Sequence, residues 1–151
     1  MAKYASNTRV PVSRSKAEIE SILQRYNATA YGHFQDSDKA LVQFKMEGRS
    51  FQIAMPLPPL DDFKVTGSRR KRSDNAAMEL REKEIRRRWR AVCLVLKAKL
   101  ELIECGISSV DAEFFPYLVL PGGGTIQDVL LPHMDALAQG CAKLLTHEQE
   151  R

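Results

Sequence analysis

The stretch from Ser73 to Gly106, SDNAAMELREKEIRRRWRAVCLVLKAKLELIECG, constrains the fold more than any other part of the chain. At 3.6 residues per turn, Met78, Ile85, Trp89, Val92, Leu96, Leu100 and Ile103 fall within about 40° of one line and form a single apolar stripe. Beyond Arg90 a second apolar set occupies the far side: Ala91, Leu94, Val95, Ala98, Leu102 and Cys105. Only Arg90, Lys97, Glu101 and Glu104 keep that half wet, whereas the N-terminal half is charged everywhere except on the stripe. The pattern predicts a helix roughly 48 Å long, capped by Ser73 or Asp74 and stopped by Gly106. Its C-terminal half should be buried between two layers, and its N-terminal half should ride over a surface, in water or against a partner.

The remaining segments are what such a helix needs as cover. Ser15-x-x-Glu18 reads as a capping box, followed by Ile19, Ile22, Leu23 and Tyr26 at helical spacing and by Asn27 as a stop. Ala28 to Phe34 is a short strand of undetermined facing, and Gln35 to Lys39 is a polar turn. Leu41 to Met46 alternates, with Val42, Phe44 and Met46 on one face. Glu47-Gly48 closes a tight hairpin, and Phe51, Ile53 and Met55 alternate back. MPLPPLDDF cannot continue a strand or start a helix, so it crosses the surface in extended form. After the long helix, Ser109 begins a short helix with Val110, Phe114 and Phe115, and Tyr117 to Leu120 is extended between Pro116 and Pro121. Thr125-x-x-Asp128 caps a last helix, Ile126 to Leu145, which Pro132 should kink or split. The expected fold is α+β: a three-stranded antiparallel meander packed on the long central helix, with a short N-terminal helix and C-terminal helices. The 151 residues suit one domain: 13–56 helix plus meander, 57–72 proline-rich then basic loop, 73–106 central helix, 107–146 C-terminal helices. The second apolar face of the central helix requires the last helix, or a second subunit in a homodimer.

Charge is unevenly spread. Residues 69–90 hold ten Arg or Lys and four acids, so this segment carries +6 of a net +4 and the remainder carries −2. A slightly acidic body with one basic segment signals a partner. Glu79–Lys83, Glu82–Arg86 and Glu84–Arg88 are i,i+4 pairs in the favourable order. They leave Arg69, Arg70, Lys71, Arg72, Arg87 and Arg90 as candidate binding residues. Arginine dominates that set, and its fork suits phosphate and carboxylate. The run 69–72 also precedes a helix N-terminus, where amides favour an anion. Nucleic acid, DNA or RNA, leads the readings; an acidic host protein and a merely solvated face follow.

Other signals read blandly. Trp89 aligns with Ile85, Val92 and Leu96, as a core residue does, rather than as a base-stacking platform. PGGGT lacks the spacing of either common phosphate-binding glycine motif and reads as a turn. Cys93, Cys105 and Cys141 are odd in number and without metal spacing, consistent with buried free thiols in a reducing cytoplasm. His33, His133 and His147 belong to no catalytic or metal motif, and Asp36, Asp38, Asp61 and Asp62 sit where turns favour them. No apolar run spans a bilayer, and the N-terminus lacks a secretory core. No catalytic residue, metal site or cofactor is expected, and no membrane partner.

Several stretches together carry a resemblance: RVPVSRSKAEIESILQRY, MPLPPLDDF, RKRS, RRRWRAVCLVLKAKLELIECGI and EFFPYLVLPGGGTI. They resemble a widespread family of small hypothetical proteins encoded by bacteriophages, prophages and integrated mobile elements. The resemblance runs from Lys3 to Asp128 and carries over no functional residue. It implies an origin in a phage or mobile element and action inside a bacterial cell, where such genes commonly serve DNA metabolism or block host defences. The element order, a helix, three strands and a helix with a basic start, also looks like that of a double-stranded RNA-binding domain. The turn at Gln35 to Lys39, the long connection to the second helix and that helix's length all depart from it. The expected function is therefore a non-enzymatic nucleic-acid-binding accessory protein. The alternative is an inhibitor of a host defence system acting by protein–protein contact.

Overall fold

The computed structural model describes residues 8–147, with side chains for residues 8–140. Helix α1 (Val12–Arg25) leads into strands β1 (Ala30–Gln35), β2 (Lys39–Met46) and β3 (Arg49–Pro56). These form one antiparallel sheet in the order β1-β2-β3. A 3-10 turn at Leu60–Phe63 precedes the long helix α2 (Asp74–Glu104), and α3 (Val110–Phe114), α4 (Ile126–Leu130) and α5 (Met134–His147) follow. The fold is α+β.

The alternation in β2 and β3 sends Ala40, Val42, Phe44, Met46, Phe51, Ile53 and Met55 into the core. Glu47 and Gly48 turn the chain between them with φ of +50° and +76°, the left-handed pair a two-residue hairpin requires. Register places Tyr31, His33 and Gln35 opposite Phe44, Val42 and Ala40, so these three β1 residues share the core-side face. α2 lies on that face through Ile85, Trp89, Cys93, Leu96 and Leu100, all buried. Trp89 Nε1 donates to Gln35 Oε1 at 3.0 Å, which satisfies the one polar group of the largest buried side chain. Phe44, Phe51 and Phe114 close the far end of the core, with ring centroids 5.1 to 5.6 Å apart.

α1 packs beside α2 and runs in the same direction: Glu18 pairs with Arg90 near one end, and Tyr26 donates to Glu101 at the other. α1 begins four residues earlier than the capping box implied. Pro11 is its N-cap, with φ −61° and no side-chain cap, and Ser15 lies fully buried inside the helix with its hydroxyl unpartnered. The box fails because Glu18 is drawn sideways to Arg90 and Ser15 is packed away from the helix end. Asn27 does stop α1, at φ +64°, with Ala28 N–H donating back to Leu23 O. Gly106 ends α2 the same way, at φ +70°, with Ile107 N–H donating to Leu102 O.

The C-terminal region departs most from expectation. Pro132 splits the last helix, as its position implied: α4, a 3-10 turn at Leu131–His133, then α5. Thr125 and Asp128 form the full capping box of α4. These helices, however, leave the second apolar face of α2 uncovered. Ala91, Val95, Ala98, Leu102 and Cys105 are exposed and Leu94 is half-buried, while Val129, Met134 and Leu137 are themselves exposed. Thus α2's C-terminal half has one buried face and not two. Met78 is likewise exposed, and Ala77 takes the buried position beside it. Of the thiols, Cys93 is buried and Cys105 is exposed, against the expectation that all are buried; the side chain of Cys141 lies outside the described residues. Burial raises the Cys93 thiol to about 11, with Glu18 adding to the effect.

Candidate nucleic-acid interface

Residues 64–72 form a small hairpin rather than a loop. Arg69 N–H donates to Thr66 O at 2.8 Å, Thr66 N–H to Arg70 O at 2.8 Å, and Arg72 N–H to Lys64 O at 2.7 Å. Val65 and Lys71 face each other as an isolated antiparallel bridge. The Thr66 hydroxyl accepts from Arg70 N–H at 3.0 Å, and Arg69 takes φ +61° at the turn. That conformation carries a steric cost for a residue with a Cβ, so the surrounding bonds must hold it. Arg72 supplies part of that hold: its Nη1 donates to the carbonyls of Phe63 at 3.0 Å and Val65 at 2.9 Å.

Three of the six candidate cations are therefore not available as read from the sequence. Arg72 staples the hairpin to the 3-10 turn. Arg87 grips Glu84 through two nitrogens, with Nε at 2.7 Å from Oε2. Arg90 pairs with Glu18 of α1. The sequence offered i,i+4 partners and missed these: Glu84 lies at i−3 from Arg87, and Glu18 is brought in by the tertiary fold. Arg87 first, then Arg88, holds the Glu84 carboxyl down at about 2. Arg88 also donates to the carbonyl of Pro56, tying α2 to the end of β3.

Arg69, Arg70 and Lys71 remain. All three are exposed, and none has a side-chain hydrogen bond or ion pair among the described residues. They stand consecutively on the hairpin, just before α2. The α2 N-terminus itself contributes less than its position suggested, because Ser73 Oγ already accepts from Ala76 N–H and Asp74 occupies the first turn.

The sequence assigned Arg86 to Glu82, but no such pair forms among the described residues, and Arg86 has no partner there. It faces a hollow where α1 begins, together with Arg9 and Lys83. Nothing in the sequence brings Arg9 next to residues 81–86; only the packing of α1 along α2 does so.

Of the residues weighed for chemistry, His33, Asp36 and Asp61 are engaged in local structure. His33 Nδ1 lies 3.7 Å from Glu20, and its ring meets Trp89 edge-on at 6.0 Å. Asp36 accepts from the amides of Asp38 and Lys39 at 2.8 Å each, which lowers its pKa, and Asp61 pairs with Lys64 at 2.7 Å. Among the described residues no group of three or more His, Cys, Asp or Glu is placed to hold a metal ion. No helix there is long and apolar enough to cross a membrane. No protein-family model, curated protein or solved structure matches the chain.

Proposed function

We propose that the chain is a non-enzymatic accessory protein of a phage or mobile element, working in the bacterial cytoplasm, that binds nucleic acid through Arg69, Arg70 and Lys71. One observation carries this reading. Three consecutive cations, free of protein partners among the described residues, are displayed on a hydrogen-bonded hairpin that Arg72 pins in place. Here the backbone is fixed and the side chains are left open, which lowers the ordering cost of meeting phosphates. Contacts of this kind position a strand without reading its bases. The test is binding of purified protein to random duplex DNA, single-stranded DNA and RNA at low salt, beside a variant carrying Arg69→Ala, Arg70→Ala and Lys71→Ala. Binding by the wild type and not by the variant supports the reading. No binding to any of the three overturns it.

A second reading, an inhibitor of a host defence protein, is favoured by a separate observation: the uncovered apolar face of α2, with Val95 45% and Leu102 39% exposed. The same face would serve a homodimer through the central helix. Pull-down from bacterial lysate with and without nuclease, and the mass in solution, separate these from the nucleic-acid reading. A host protein retained after nuclease treatment favours the inhibitor.

A further inference from the structure

The hairpin is not the most enclosed basic feature of the molecule. α1 begins partway along α2, and the notch beside its start contains two adjoining hollows of about 590 and 460 Å3 that share Pro11 and Arg86. Arg9 and Lys83 line the first, Lys16 and Arg81 the second, and Glu82 is the one carboxylate among the described residues of these walls. The cations come from two stretches, 9–16 and 81–86, far apart in sequence, so their convergence is a product of the fold.

Each plays a different part. Arg81 is fixed, donating to the carbonyls of Pro58 at 2.9 Å and Ser37 at 2.7 Å, and contributes charge from a set position. Arg86 is half-buried and Arg9 exposed, and neither has a hydrogen-bond or ion-pair partner among the described residues. A guanidinium partly withdrawn from water with no counter-charge is costly, and an arriving anion removes that cost. Lys16 Nζ stands 4.6 Å above the Trp89 ring, and burial lowers its pKa, so it too gains from a nearby negative group. The first turn of α1 opens here without a side-chain cap or an acidic residue, which adds to the positive potential.

We propose that this notch is a phosphate-binding site separate from the hairpin, in which Arg9, Arg86 and Lys16 hold a phosphoryl group. The volume, and the apolar walls of Pro11, Val12 and Ile85, suit a phosphate carried on a sugar better than a bare ion. The source assigned is a nucleic-acid strand, and only that assignment rests on the function proposed above; the phosphate chemistry stands without it.

Trp89 is the single tryptophan of the chain and lies under Lys16, so its fluorescence reports on the notch through that contact. The probes are an eight-nucleotide oligothymidylate and, separately, inorganic phosphate. The oligonucleotide should change Trp89 emission saturably, and Arg9→Ala with Arg86→Ala should weaken that response at least about tenfold. Arg86→Lys should restore part of it, and thermal melting should stay at the wild-type value, since neither arginine holds the fold. The triple hairpin variant should bind more weakly yet reach the same final emission. Wild-type affinity and emission change in the folded Arg9/Arg86 double variant would overturn the notch, whatever the hairpin does. Loss of the response in the double variant while the hairpin variant binds like wild type would uphold the notch and remove the hairpin. A response to inorganic phosphate equal to that of the oligonucleotide would overturn the strand as its source.

Discussion

The hairpin at 64–72 and the helical segment 81–90 are similarly rich in positive charge, yet they use it in opposite ways. On the helix, Arg81 and Arg88 clasp backbone carbonyls, Arg87 and Arg88 share Glu84, and Arg90 reaches Glu18. In the hairpin Lys64 pairs with Asp61 and Arg72 holds two carbonyls, which fixes the three cations that are not engaged. The difference follows from surroundings. A helix in the middle of a fold is ringed by carbonyls and carboxylates within reach of a long side chain, whereas a two-stranded projection satisfies its backbone internally and leaves its side chains to solvent. Positive charge along a sequence is thus a poor measure of positive charge available to a ligand.

The comparison can be broken first at the core that holds the helix in place. Trp89→Ala removes a fully buried ring together with its bond to Gln35, and should cost about 3–5 kcal/mol of stability. Leu102→Ala, on the uncovered face, should cost under about 1 kcal/mol in denaturant unfolding of the dilute protein. A large loss at Leu102 would mean that the face is covered in solution.

A smaller contrast is expected between cations. Arg90→Ala leaves the half-buried Glu18 without its partner and should destabilise by about 1–2 kcal/mol. Arg70→Ala, exposed and unpartnered, should stay within about 0.5 kcal/mol. Equal losses in unfolding midpoint would erase the distinction between the two regions.

The pH dependence sharpens the same contrast. Glu84 ordinarily titrates near 4.5 and is held at about 2 by Arg87 and Arg88 in the folded chain. A carboxyl depressed on folding stabilises in full above its unfolded value and loses that contribution as pH falls through its folded one. Melting temperature should therefore fall between about pH 4.5 and 2, and Glu84→Gln should flatten that part of the curve. An unchanged profile in the variant would mean that the arginines are not clamped.

The fold was legible wherever a local pattern and a tertiary demand agreed. The stripe on α2, the β2–β3 alternation, the Glu47-Gly48 hairpin, the stops at Asn27 and Gly106 and the capping box of α4 each depend on residues within a few positions of one another. Ser15 and Glu18 misled because the spacing that makes a capping box also puts the pair on one helix face, where Ser15 is buried and Glu18 is taken by Arg90 of α2. The face bearing Val95 and Leu102 misled because an apolar helix surface shows a need for cover without showing what provides it. The candidate site was legible in part. Its location before α2 was readable from RRKR, but the loss of Arg72, Arg87 and Arg90 to carbonyls and to Glu18 was not. Glu18 is 72 residues from Arg90 in sequence. The same holds for the notch, where Arg9 meets residues of α2 only because α1 runs parallel to it.

The claim that free and engaged cations differ in function is tested most directly by salt. Each phosphate contact on duplex DNA contributes about 0.9 to the slope of log K against log salt. Removing Arg69, Arg70 and Lys71 together should flatten that slope by about 2.7, and should weaken binding to unrelated sequences alike. Removing Arg87 should leave it unchanged to within about half a unit, although the charge lost lies only a few turns into the helix that follows the hairpin. Binding to random duplex, measured from low to physiological salt for wild type and both variants, reads both values. Equal flattening by the two variants, or a triple variant with the wild-type slope, would contradict the account.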